Sequence, residues 1–401
     1  MDAVKILVIF LFMLVLIFKF KRGLPLTFAL GCLAVAVAYQ FAPGFAARLA
    51  LQSAFSKSTL AIVAIYYTIT FLQKMMEVKG HISLAEDSLL GITNNRRISA
   101  EVAPMCVGLM PSPGAVVLGG AMVESIYKND VSNEDKNFIT SYFRHVPESF
   151  VPTFGSVIIA CELAGVPTGK FVLYMLPLAL LLVLLGHFMF MRKLPSGTGM
   201  PGRKEKLHDV KNLFLSLWPV GIIILFVITA NIDVYLVAIF VIILYFFVNK
   251  FRFSEIKPFF KAAFEPKIIL STIFILVFKD YILSTDAVES LPRLLSELPL
   301  PNYIIFSIIF FIGSVIAGST AICAIALPLA YAAIPDGGTP LLVLLSTMAF
   351  AAMQVSISHI CLFLSSAYFK VEVASLIKRT IPIISVFCVG LVLYYLLLVW
   401  I

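Results

Sequence analysis

The sequence predicts an all-α polytopic membrane protein made of two inverted repeats, each with three spans, a re-entrant hairpin and two further spans. Three observations predict it. First, the 401 residues are 61% apolar and only 13% charged, with a mean hydropathy of +1.02; soluble domains carry about 25% charged residues. Second, the apolar excess falls in nearly charge-free blocks of 16 to 22 residues, the length a helix needs to cross roughly 30 Å of hydrocarbon. These blocks are apolar on every side, unlike the single stripe of a soluble core helix. Third, the basic residues segregate between alternate loops, as polytopic proteins require. A secreted disulfide scaffold, a soluble Rossmann or barrel enzyme and a nucleic-acid binder are all excluded.

Taken in chain order, apolar spans are expected at 3–18, 23–41 and 59–76, then a broken stretch at 100–126, then 137–161 and 170–191. The second half repeats the order: 213–230, 232–249, 268–283, a broken stretch at 302–334, then 341–366 and 380–401. No cleavable leader is expected, because Ile6–Phe18 runs into Lys19, Lys21 and Arg22 instead of a small-residue cleavage site. The stretch 100–126 is interrupted by Met110-Pro111-Ser112-Pro113-Gly114, and 302–334 by Gly313, Gly318, Ser319 and Thr320. Backbone freed at membrane depth must face protein or a water-filled cavity, so both are read as re-entrant hairpins. The first repeat is then 1–191, the basic cytoplasmic linker 192–212 and the second repeat 213–401. Five crossings per half is an odd number, which turns the second half upside down, an architecture known among secondary transporters. With the amino terminus outside, 23 Lys and Arg residues fall on the inner side and 6 on the outer, with Arg144 inside a span. That bias places both termini outside and accounts for the net charge of +8 without any nucleic-acid partner. Two further segments, His81 to Ser99 and Phe251 to Lys267, mix charged and apolar residues and read as interfacial helices.

The chemistry-bearing residues concentrate in four places. Arg144, His145 and Glu148 lie within the fifth span, between breaks expected at Pro147 and Pro152. An arginine at bilayer depth costs at least about 2.5–3.5 kcal/mol on insertion scales, so a partner or a cavity is expected. Arg144 and Glu148 are one turn apart and can pair; the plain structural reading is a self-neutralising pair, the functional one a site at the ends of two half-helices. Gln354-Val355-Ser356-Ile357-Ser358-His359 occupies the matching place in the second half. Ser356 and Ser358 would sit about 200° apart on an ideal helix, so a local unwinding is expected to turn both toward one cavity. At the hairpin tips, Ser112, Pro113 and Gly114 on one side and Gly318, Ser319 and Thr320 on the other place helix amino termini at the midplane, where they favour an anionic group. The plain reading of the tips is close helix packing through small residues.

Catalysis is not expected. The sequence has no H-E-x-x-H, G-x-S-x-G or P-loop pattern. His81, His187 and His208 fall at or beyond span ends and are expected to converge on nothing. The six cysteines, Cys32, Cys106, Cys161, Cys323, Cys361 and Cys388, form no C-x-x-C and are expected to be apolar packing residues, neither disulfide-bonded nor zinc-bound.

Gly108-Leu109-Met110-Pro111-Ser112-Pro113-Gly114, Phe143-Arg144-His145 and Ser356-Ile357-Ser358-His359-Ile360-Cys361-Leu362 together resemble a prokaryotic integral membrane family of unassigned function. That family is placed in the ion transporter superfamily, beside gluconate permeases, citrate–metal symporters and divalent anion–sodium symporters. The resemblance covers essentially the whole chain. It implies a homodimer in the plasma (inner) membrane of a prokaryote, with an elevator-type transport domain formed from 100–161 and 302–366 and a scaffold formed from the remaining spans. It also implies a symporter of a small organic anion, such as a carboxylate, coupled to sodium or protons. The alternatives are an anion or ion channel and a proton-coupled gluconate-like permease. In this reading Arg144 compensates the anion's charge, His145, Glu148 and His359 titrate, and the tip residues contact the anion. No cofactor is expected beyond a sodium ion near Ser112, Ser319, Thr320 and Ser356. The two Ser-Asn-Thr tip motifs of sodium–dicarboxylate symporters are replaced here by Ser112-Pro113-Gly114 and Ser319-Thr320-Ala321.

Overall fold

The computed structural model describes residues 2–20, 23–81, 84–85, 88, 95–109, 115–196, 206–230, 232–285, 299–356 and 359–400. Among these the chain is helical throughout, with no strand. The first half contains α1 (Asp2–Phe18), α2 (Leu24–Ala38), α3 (Pro43–Ala54), α4 (Lys57–Val78), α5 (Arg96–Gly108), α6 (Ala115–Tyr127), α7 (Asn133–His145), α8 (Gly155–Ala164) and α9 (Thr168–Met189). The second contains α10 (Lys206–Thr229), α11 (Val234–Val248), α12 (Phe253–Ala262), α13 (Pro266–Leu283), α14 (Asn302–Ala317), α15 (Ser319–Ala333), α16 (Gly338–Met353), α17 (Ile360–Phe369) and α18 (Val373–Trp400). This is a multi-pass membrane protein. Among the described residues, five helical stretches are long and apolar enough to cross a bilayer unaided: Lys57–Val78, Thr168–Lys193, Leu207–Thr229, Pro335–Met353 and Val373–Trp400.

Local chemistry sets the helix ends. Proline at the first or second position opens α2, α3 and α13, where its fixed φ suits the first turn and its missing N–H has no role. Ser56 caps α4 by accepting from the Thr59 N–H at 3.2 Å, and Ser132 caps α7 by accepting from the Asp135 N–H at 3.1 Å. The segment 43–54, expected to be part of an outer loop, is the helix α3, packed on α13. Its counterpart α12 packs on α4 and falls within 251–267, where an interfacial helix is expected. The other expected interfacial segment, 81–99, lies mostly outside the described residues.

Both hairpins are present in their described parts. In the second, α14 and α15 are joined through the single residue Gly318 and pack side by side. A Cβ placed on Gly313 would fall 2.4 Å from the Ile322 Cδ1 of the returning helix. Gly318 has φ +87° and ψ 157°, a region that only glycine enters readily. In the first hairpin Gly119 of α6 faces Pro104 of α5; the tip, with Ser112, Pro113 and Gly114, lies outside the described residues.

The expected spans 137–161 and 341–366 are each broken in the middle. α7 stops at His145, a short 3₁₀ turn covers Pro147–Ser149, and α8 resumes at Gly155. α16 stops at Met353 and α17 resumes at Ile360. α7 is not the apolar segment its place in the order suggested: every residue from Lys136 to His145 is buried, among them Lys136, Asn137, Thr140, Ser141, Arg144 and His145. The packing pairs elements of the two halves crosswise. α2 lies on α13 and α4 on α11; α8 lies on α15 and α6 on α17; α18 lies on α7 and α9 on α16.

Candidate functional site

The two helix breaks meet. His145, the last residue of α7, and His359, just before α17, are 214 positions apart, yet their Nε2 atoms lie 3.1 Å from one another. The rings meet edge to face with centroids 5.1 Å apart. His145 is fully buried, and its Nδ1 lies 2.5 Å from the Ser141 carbonyl oxygen, one turn back in α7. A carbonyl only accepts, so Nδ1 carries the proton and Nε2 of the neutral ring is a bare lone pair.

Arg144 points into the same region from the adjacent position of α7. Its Nη1 donates to Glu148 Oε2 at 2.8 Å, with the two side chains only 2% and 14% exposed. The expected i, i+4 pair therefore forms, although α7 has already given way to the 3₁₀ turn. The same Nη1 lies 3.8 Å from the Cys361 Sγ, and Glu148 Oε2 lies 3.9 Å from His145 Nε2. Arg144, His145, Glu148, His359 and Cys361 thus form one cluster drawn from both halves of the chain. The carbonyl of Arg144 is approached by α5 at Gly108, where a Cβ would stand 2.1 Å from that oxygen. Only glycine admits this contact.

Next to the cluster lies a small cavity of about 20 Å³ with Glu148, Ser149, Ser156, Ser319 and Ser346 on its polar side and Val157, Phe171, Cys323, Phe350 and Met353 on its apolar side. That volume accommodates about one water molecule, or a single dehydrated ion of similar size. Ser149 donates its hydroxyl hydrogen to the Val146 carbonyl at 2.7 Å, and Ser346 donates to that of Leu342 at 2.6 Å. With those hydrogens committed, the two hydroxyls offer a further ligand only their lone pairs.

Of the residues expected at the site, Arg144, His145, Glu148 and His359 come together, and Ser319 joins through the cavity. Thr320 is half-buried and is not among the residues lining the cavity. Ser356 is buried, and its hydroxyl donates at 2.7 Å to the Val315 carbonyl, tying the second break to α14 of the hairpin. The unwinding expected around Ser356 is present; Ser358 lies outside the described residues, as do Ser112, Pro113 and Gly114. The cysteine expected to be plain packing is part of the cluster instead, and the signal for it was the His-x-Cys spacing of His359 and Cys361. The outlying histidines, expected to converge on nothing, each have a hydrogen-bond partner, His208 only its neighbour one turn on, Asn212, at 3.2 Å. His187 Nδ1 lies 2.7 Å from Oε1 of the buried Glu101, joining α9 to the hairpin helix α5, and His81 Nδ1 lies 2.7 Å from the hydroxyl of Tyr245. His81 stands beyond the end of α4, where partial burial, together with the nearby charge of Lys79, holds its imidazole below the usual pKa.

A family model described as a protein of unknown function, DUF401, matches residues 4–400. Among solved structures the chain is similar to the YdaH transporter of Alcanivorax borkumensis, whose crystal structure reveals an unusual topology. The TM-score is 0.58 at 11% identity, covering 94% of this chain and 99% of that one. At that identity the likeness is one of fold. No curated protein matches the chain.

Proposed function

Since the chain belongs to the DUF401 family of proteins of unknown function, we propose that it is a secondary active transporter of a small organic anion, with a carboxylate as the favoured class, coupled to sodium or protons. Its fold is consistent with a membrane transport protein and resembles a transporter's, not that of a catalytic class. The observation that carries the reading is the meeting of two interrupted helices, one from each half, around the buried Arg144 and Glu148. Interrupted helices place uncompensated backbone and half-helix ends where lipid cannot satisfy them, and transporters use such places for solutes and ions. Arg144 supplies the positive charge for an anion, which would displace or join Glu148. The neighbouring cavity is too small for an organic solute but suits one dehydrated cation, and its hydroxyls and carboxylate are hard oxygen donors, which supports sodium as the coupling ion.

The crosswise pairing of elements supports two inverted repeats, 1–191 and 213–401, with both termini on the outer face of a prokaryotic plasma membrane. An elevator movement would carry 100–161 and 302–366. The remaining spans, α9 and α18 included, would form the scaffold of a homodimer. The test is a thermal-shift screen of the purified protein against small carboxylates, with and without sodium, at two pH values. Anything bound only by the native state raises its apparent stability by mass action. A stabilising anion that requires sodium, together with its uptake into proteoliposomes and background uptake in Arg144→Ala, is the expected result. Wild-type uptake in that variant would remove Arg144 from the site.

A further inference from the structure

We propose that His145, His359 and Cys361 form a binding site for a thiophilic divalent transition-metal cation, with zinc as the best fit. Among the described residues, His145 Nε2 or Nδ1, His359 Nε2 or Nδ1 and Cys361 Sγ supply three ligand atoms lying within 4.8 Å of one another. Zinc takes imidazole nitrogen at about 2.0–2.1 Å and thiolate sulfur at about 2.3 Å. In a tetrahedron these bond lengths separate two nitrogens by about 3.4 Å and nitrogen from sulfur by about 3.6 Å. The Nε2 atoms stand 3.1 Å apart, so a shift of a few tenths of an ångström opens the imidazole pair onto a metal, and the sulfur needs at most a side-chain adjustment.

The surroundings are already arranged for it. The Ser141 carbonyl accepts from His145 Nδ1–H at 2.5 Å, which fixes the tautomer and aims the Nε2 lone pair at the site, as the outer shell of a metal histidine does. His145 is fully buried and Cys361 is 5% exposed. Charge also balances at one composition. The Arg144–Glu148 pair is neutral as a unit, and metal binding displaces the Cys361 thiol proton to leave a thiolate. A divalent ion on that thiolate carries one net positive charge, which a single monoanionic fourth ligand neutralises. Three protein ligands with the fourth position open is the arrangement of a zinc site that receives a water or an exogenous anion.

The site is tested by binding alone, so it stands or falls separately from the transport reading. Tag-free full-length protein in detergent is titrated with cobalt(II) as the spectroscopic probe and with zinc in competition. One cobalt per chain is expected, with visible d–d bands and a near-ultraviolet sulfur-to-cobalt charge-transfer band, both removed by stoichiometric zinc. Cys361→Ser should lose the near-ultraviolet band and keep weaker d–d bands; His359→Ala should bind at least tenfold more weakly, with both variants eluting as the folded wild type does. Absence of bound cobalt in the wild type, or bands and affinity unchanged in both variants, would overturn the proposal. In that case the two imidazoles simply share a hydrogen bond.

Discussion

At the residue scale the molecule is organised around a buried charge. Arg144 and Glu148 leave water together, and losing one partner strands the other; breaking a buried pair costs about 3–5 kcal/mol, whereas replacing both partners is often nearly neutral. Arg144→Gln is therefore expected to lower the unfolding midpoint in detergent sharply, and Arg144→Gln with Glu148→Gln to recover most of the loss. A double variant as unstable as the single one would show that Glu148 is not the partner that matters. The pair was legible in the sequence, because four-residue spacing on a helix is a local property. The company it keeps was not. Cys361 and His145 are brought together by the packing of α17 on α7, and no local pattern signals a contact spanning more than 200 positions. The same holds for Glu101 and His187, joined across 86 positions at 2.7 Å.

At the scale of elements, glycine decides where helices approach and reverse. Gly318→Ala has open space around the new methyl but forces a side chain into φ +87°, a strain of about 1–3 kcal/mol. A moderately lowered unfolding midpoint is expected, with the protein still folded. Gly108→Ala is of another kind, since its methyl meets the Arg144 carbonyl oxygen, part of a backbone that cannot swing aside. It should displace α5 from α7 and abolish uptake even where the purified protein remains monodisperse. His81 gives α4 and α11 a pH-dependent contact through Tyr245. Its depressed pKa means the folded state prefers the neutral ring. The stability it adds is present above the ordinary imidazole pKa near 6.5 and is lost as the pH falls below it. The midpoint should decline between about pH 7 and 5, and less so in His81→Gln. The hairpins and the first helix break were legible because proline and glycine mark them, and the second break because Gln354, Ser356 and His359 are polar at membrane depth; α3 was not, since its short stretch with Arg48 reads as a loop.

At the scale of the whole molecule, the basic residues make a prediction about sidedness. A single cysteine at exposed Ala42 should react with a membrane-impermeant thiol reagent in intact cells, and one at exposed Ser196 only after the membrane is opened. The reverse pattern would turn the topology over. That the chain crosses the membrane several times was legible because hydrophobicity is additive along the chain. The polarity of α7 was masked by the apolar α8 that follows within the same expected span.

That polarity reaches back to how the chain is made. α7 brings Lys136, Asn137, Arg144 and His145 into the interior, and each of its two long cations opposes entry from the insertion machinery into lipid by about 2.5–3.5 kcal/mol. Its shelter comes from α5 and α6, synthesised before it, and from α17 and α18, synthesised more than 200 residues after it. During biogenesis the segment must therefore wait, shielded or outside the lipid, until the carboxy-terminal helices arrive. Nascent chains arrested shortly after α9 should leave 133–145 exposed to protease or alkaline extraction, and full-length chains should protect it.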